Sequence, residues 1–334
     1  MARIPPSPLP PPPPPPPQAT TLLTNLTKPD TSTTPNTTTL TSSDQQQPTT
    51  STSTPTTVNP ALPTPKLLLQ IHDLRHPSTT TFLTLIPNLA STLETALTTI
   101  LQTLYTCPPP NPQTPNNPPK TTPITFTPTL PPTRSITTFL RPIPGVAYTT
   151  GTDLDADHKE IHLSLAYIAS CTERYADSSS LRAEIVGVLT HELVHCYQHT
   201  SPDSDDDTAP TPPGGLIEGI ADFVRLKAGL APPHWQRPRS AAERPEKWDQ
   251  GYQHTAYFLA WLEEVRVGTG AVGLVNDRLL RVGYVGEDDD EEGEGKDAQK
   301  RGEEGFWRGL FGVGVEELWE EYGRYLDTLA GEGR

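Results

Sequence analysis

The sequence predicts an α+β fold, and three observations carry that prediction. Short apolar runs of strand character cluster between residues 66 and 168. From about Ser178 onward, apolar residues recur at helical spacing. Residues 1–65 contain almost nothing that a core could use. A strand-rich half followed by a helical half is the order that α+β domains show.

Pro10 to Pro17 is an unbroken run of prolines, and the residues after it are mostly Thr, Ser, Pro, Asn and Gln. Such a composition cannot bury enough apolar surface to offset its ordering entropy, so residues 1–65 are expected to stay disordered. The proline run favours an extended left-handed helix; it reads as a solvated tail, with docking of residues 10–17 to a proline-binding module through an aromatic groove as the alternative. Asn25-Leu26-Thr27 and Asn36-Thr37-Thr38 match glycan acceptor sites, which matter only in a secreted chain.

Order is expected to begin near Lys66 and to run to about residue 330, with loop insertions near 108–133, 201–213 and 286–303. Leu67-Leu68-Leu69-Gln70-Ile71 reads as a strand. Residues 87–105 read as a helix, with Leu89, Leu93, Leu97, Ile100, Leu101 and Leu104 along one stripe. Ile136–Leu140, Val146–Thr149 and Glu160–Ile168 read as strands, the last from the alternation of Ile161, Leu163 and Leu165. Residues 181–199 read as a helix with Ile185, Val188 and Leu189 on its apolar side, and Gly214 to Leu226 as a second helix, ended by Gly229, Pro232 and Pro233.

Charge and composition exclude several classes. The net charge is −15, and no basic stripe offers itself to nucleic acid. No apolar run approaches the roughly 18 residues of a membrane span, and no apolar segment of about 7–15 residues marks a secretion signal. A cytoplasmic location is therefore the default expectation, with unconventional export as the other route. Cys107, Cys171 and Cys196 are too few and scattered for a disulfide scaffold and are expected to be reduced thiols. The acidic run from Glu287 to Glu294 reads as a solvated loop.

The chemistry lies in His191-Glu192-Leu193-Val194-His195, an H-E-x-x-H pattern. Residues four apart share a helix face, with Cβ atoms about 5–6 Å apart, so two imidazoles so placed can meet one zinc ion. Glu192, next to the first ligand, can reach a water on that ion as general base. A third protein ligand is missing from this helix. The following helix is apolar nearly all round, yet carries Glu218 and Asp222 four apart on one face. Buried carboxylates are costly unless paired or bound to metal. Glu218 fits as the third ligand, and Asp222 as the group that accepts the free N–H of a ligand histidine and fixes its tautomer. The reverse assignment is the alternative, and an ion pair of either carboxylate with Arg225 is the purely structural reading. His199 lies about 12 Å along the helix from His191, too far to share the ion. A third histidine at metzincin spacing would need glycine at 198 and histidine at 201, where the chain has Gln198 and Ser201.

His191 to Gln198, followed by Gly214 to Asp222, resembles the plant basic secretory protein family. Gly145 to Gly151, Glu160 to Ser164, Pro233-His234-Trp235, Lys247 to Tyr252 and Thr255 to Leu259 match it too. The resemblance spans roughly residues 66–330. It implies a zincin-like domain with a mixed sheet, one Zn²⁺ and metallopeptidase chemistry on a peptide or protein substrate. This chain departs from the family's name in being acidic and in showing no secretion signal.

The remaining aromatic and polar residues are weighed against core packing. Trp248, Tyr257 and Trp261 read as core. Tyr252 reads either as core with them or as the donor to the oxyanion of a tetrahedral intermediate, and His254 is open to either role. His162 reads as a packed histidine, though its strand is a candidate for lying along the cleft and pairing with an extended peptide. Cys196 reads as a small buried filler. Hydrolysis is expected to run with Glu192 taking the proton of the attacking water and passing it to the leaving amine. The rival is a non-catalytic zincin-fold binding protein with a polyproline docking tail.

Overall fold

The first strand, β1 (Lys66–Ile71), already shows what organises the domain: Leu67 and Ile71 pack against the core while Lys66, Leu68 and Gln70 stay exposed. The structure is a computed structural model and describes residues 63–108, 126–202, 211–286 and 305–332. The proline run, most of the three expected insertions and the acidic run from Glu287 lie outside the described residues.

Three further strands complete a mixed sheet: β2 (Ser135–Arg141), β3 (Ala147–Thr152) and β4 (Asp155–Ser164). Their spatial order is β1-β2-β4-β3, with β1, β2 and β4 parallel and β3 antiparallel along β4. β3 is thus an edge and β4 is interior. The inward faces carry Ile136, Leu140, Ile161 and Leu163, all fully buried.

Helices α1 (Pro77–Leu85), α2 (Leu89–Leu104) and α3 (Leu165–Arg174) are interleaved with the strands. Each begins where a side chain satisfies an open backbone N–H: His76 accepts from Ser78, Asn88 from Ser91 and Ser164 from Tyr167. The last of these corrects the expected strand Glu160–Ile168. The apolar alternation continues into Leu165, but the Ser164 cap turns the chain into a helix there.

The second half is helical as expected: α4 (Ser178–His195), α5 (Gly214–Lys227), α6 (Tyr252–Trp261, prolonged by the π-turn Leu262–Arg266), α7 (Ala271–Arg281), α8 (Phe306–Phe311) and α9 (Val315–Glu332). α4 is central. It touches α2, α3, α5, β3 and β4, and is buried nearly all round. Trp248, Tyr257 and Trp261 are buried, as expected. Phe258 is ringed by Trp248, Trp261, Trp307, Trp319 and Tyr322 at centroid distances of 5.4–6.4 Å, which ties α6 to α8 and α9. α5 and α6 pack so closely that a Cβ on Gly219 would lie 2.3 Å from Thr255 Cγ2. Among the described residues, no helix is long and apolar enough to cross a membrane.

Candidate active site

α4 places His191 and His195 on one face, one turn apart, and stops at His195. The four residues that follow are not helical: Cys196 and Tyr197 form a turn, and His199 faces elsewhere. The expected helix to residue 199 is therefore shorter. His199 Nε2 lies 2.8 Å from the carbonyl of Thr129, a structural contact far from any ligand role.

The second turn of α5 brings Glu218 to this face. His191 Nε2 lies 3.2 Å from His195 Nε2 and 3.1 Å from Glu218 Oε2, and His195 Nε2 lies 3.9 Å from that same oxygen. These are the only three such residues to form a possible metal-holding group among the described residues. Ligands about 2.0–2.1 Å from one tetrahedral ion stand about 3.3–3.4 Å apart. Two nitrogens and a carboxylate oxygen at nearly that spacing fit such an ion.

Asp222 stands behind His191. Its Oδ1 is 2.7 Å from His191 Nδ1, and the residue is 3 % exposed. In the neutral ring, an Nδ1–H donated to that carboxylate leaves the Nε2 lone pair facing His195 and Glu218. Gln198 stands behind His195 in the same way, with its amide 3.1 Å from Nδ1. The amide oxygen of Gln198 is buried without a partner. With the amide turned over, that oxygen accepts the Nδ1–H of His195, which leaves Nε2 again facing the other two. Sequence reading did not reach Gln198 in this role. Its spacing, three residues past His195, was the available signal.

Electrostatics set the two histidines apart. Burial alone would lower the His191 pKa, but the charge and hydrogen bond of Asp222, with Glu218 and Glu192 nearby, raise it to about 10. Burial lowers His195 to about 4, and the charge on His191 adds to it. Burial also works to raise Glu218, yet the hydrogen bond and charge of His191 and the charge of His195 hold it below the usual range.

Glu192 is 6 % exposed, and burial raises its pKa. Its carboxylate is not loose. Thr149 Oγ1 on β3 lies 2.7 Å from Glu192 Oε2 and 2.9 Å from the Glu192 carbonyl. One hydroxyl therefore pins the edge strand to the side chain of the candidate base. Thr149 was missed in the sequence, where nothing local connects it to a glutamate 43 residues away.

Tyr252 closes the other side. Its ring lies nearly parallel to His191, with centroids 6.3 Å apart and 13° between planes. The residue is half exposed and has φ of 47°, the one non-glycine in the left-handed region among the described residues. A tyrosine held there is strained by its own Cβ. The turn around it is over-determined: Gly251 N–H donates to Thr255 Oγ1 at 2.9 Å, and that hydroxyl donates to the Trp248 carbonyl at 2.8 Å. Burial and nearby carboxylates push the phenol up to about 12, so it keeps its proton at neutral pH.

Arg225 pairs with neither Glu218 nor Asp222. It donates to Glu184 at 3.1 Å, deeper between α4 and α5. β4 is interior, between β2 and β3, and therefore cannot accept an extended peptide; the edge beside Glu192 is β3. His162 is packed, 3 % exposed between the rings of Phe139 and Tyr148. Cys196 is a buried filler, and no cysteine among the described residues is bridged.

The family model BSP, described as peptidase of plants and bacteria, matches residues 64–322. No curated protein and no solved structure matches the chain. The matched segment contains every residue of the cluster just described, and the chain belongs to the BSP family of peptidases.

Proposed function

We propose that this peptidase is a zinc metallopeptidase with a zincin-type domain, in which His191, His195 and Glu218 hold one Zn²⁺. The observation that carries this reading is the convergence of His191 Nε2, His195 Nε2 and Glu218 Oε2 at 3.1–3.9 Å. When bound, such an ion supplies Lewis acidity toward a carbonyl and a nucleophilic water at neutral pH.

The chain's own residues do the rest. Glu192 takes the proton of the attacking water and delivers it to the leaving amine. Thr149 holds one of its carboxylate oxygens and leaves the other to work. Asp222 and Gln198 each fix a histidine ring in the tautomer that presents Nε2. Tyr252, protonated and stacked over His191, donates to the oxyanion. Among the described residues no strand pairs with the outer edge of β3, which offers backbone N–H and C=O groups to an extended peptide beside the base.

The test is metal content by elemental analysis with peptide cleavage by the full chain and by Glu192→Gln. Stoichiometric zinc in both proteins is expected, with cleavage at least about 10²-fold lower in the variant. Equal cleavage by the two would remove Glu192 from the chemistry.

A further inference from the structure

A second concave site opens beside the N-terminus of α6. Its cavity of about 450 Å³ is walled by His234, residues 236–239, Glu243, Gln253 and His254, within the size range of small-ligand pockets. Most of the donors on its wall lack full partners. Among the described residues, the imidazoles of His234 and His254 make no side-chain hydrogen bond, and burial is the sole influence on His254. Arg239 is neutralised by Glu243 at 3.0 Å. Arg237 is held from outside the pocket: it donates to Glu264 at 3.4 Å, a carboxylate it shares with Lys227, and its guanidinium lies over the Tyr257 ring, 5.5 Å from the centroid. The wall therefore has one carboxylate, already engaged, against two guanidiniums and two imidazoles. In a chain of net charge −15, such a donor-rich cavity is matched to an anion.

Its place in the fold says which anion. A Cβ built on Gly251 would lie 3.9 Å from Glu218 Cβ, so the residue before α6 touches the candidate metal ligand. Gln253 and His254 follow two and three residues later, at most about 8–11 Å along the chain. An extended peptide covers that distance in about two to three residues. We propose that this pocket is a substrate subsite that takes an acidic side chain, Asp or Glu, about two to three residues from the scissile bond, with Arg237 as its specificity-determining charge. The proposal deepens the peptidase reading above and rests on it for the identity of the ligand as a peptide.

The test separates the two. Fluorescein-labelled peptide libraries, with Glu, Gln or Lys fixed at one position at a time, are titrated by anisotropy onto zinc-loaded full-length Glu192→Gln, which binds without turning over. At one position, two to three residues from the cleaved bond, Glu is expected to bind about 10-fold more tightly than Gln, the low end for a hydrogen bond to a charged group. Adding Arg237→Gln should bring that ratio close to one, and adding Arg237→Glu should favour Lys over Glu. Arg237 is half exposed, and an unchanged thermal midpoint in both variants reports intact folding. Equal binding of the Glu and Gln libraries at every position, or a Glu preference that survives Arg237→Glu, would overturn the subsite. Absence of cleavage by the unmutated protein would refute the peptidase mechanism alone, since the binding ratios read the pocket without turnover.

Discussion

The α4–α5 pair carries two buried charged clusters, and they are built on opposite rules. Toward the start of α4, Glu184 accepts from Tyr167 at 2.6 Å, Tyr175 at 2.9 Å and Arg225 at 3.1 Å. One carboxylate meets one guanidinium and two hydroxyls, so charge and hydrogen bonds both close. Toward the end of α4, three carboxylates (Glu192, Glu218 and Asp222) surround two imidazoles, and three ligand atoms converge on one another. Buried charge is tolerated when paired and costly when left open. The first cluster is architecture. The second lacks positive charge in the geometry a divalent cation would complete.

Substitutions should divide along this line. The largest effect is expected from Glu218→Ala. Two histidines alone leave a zinc ion under-coordinated, so the variant should lose metal and activity while unfolding near the temperature of the metal-free unmodified protein. A competing-chelator titration reads the first and a thermal melt the second. Retention of tight zinc by this variant, with its loss in Asp222→Ala, would reverse the two carboxylates' roles.

Glu184→Ala should do the opposite. It leaves Arg225 buried and uncompensated, and breaking such a pair costs about 3–5 kcal/mol of stability. Denaturant unfolding checks the magnitude. The same group gives a pH dependence. Burial works to raise the Glu184 pKa, but the Arg225 charge and the hydrogen bonds from Tyr167, Tyr175 and Arg225 leave it lowered. A folded value below the unfolded one, about 4.3, means stability that is present above pH 4.3 and lost as the pH falls through the folded value. Acid unfolding of the unmodified protein should therefore steepen below about pH 4, and Glu184→Ala should flatten that limb. A limb of unchanged slope would show that this pair is not the acid-sensitive element.

Asp222→Ala should keep zinc at stoichiometric protein concentrations but bind it about 10–100-fold more weakly, the usual loss for a group that orients a ligand histidine. The smallest effect is expected from Thr149→Val. It removes one hydroxyl from Glu192 without changing shape much, worth about 1 kcal/mol and so about 5-fold in kcat, with zinc affinity unchanged and activity restored by Thr149→Ser. A Thr149→Ser variant as slow as Thr149→Val would mean that packing of the edge strand, not the hydroxyl, positions the base.

The sequence misled at identifiable places. α1 went unread because Ser78-Thr79-Thr80-Thr81 is poor in helix formers; the His76 cap and Pro77 at the first helical position were the signals that start it. The strand expected over residues 160–168 began five residues earlier and ended four residues sooner, because alternation cannot see a cap. Arg225 stood close enough in sequence to Asp222 to suggest a pair, but its position one turn on points it at Glu184 instead.

What the sequence determined by itself was local. Periodicity put His191 with His195 on one face of a helix and Glu218 with Asp222 on one face of another, and the apolar surroundings of the second pair demanded a partner for them. Those statements follow from 3.6 residues per turn and the cost of burying charge. What only the tertiary structure decided was which faces meet. Packing α5 against α4 chose Glu218 to approach the histidines and Asp222 to stand behind one of them. Making β3 the edge of the sheet brought Thr149 to Glu192, and the turn after His195 brought Gln198 behind that ring. No spacing rule reaches across such distances, because contacts between elements are fixed by how apolar surfaces close over one another, and a repeat within one helix carries no information about its neighbour.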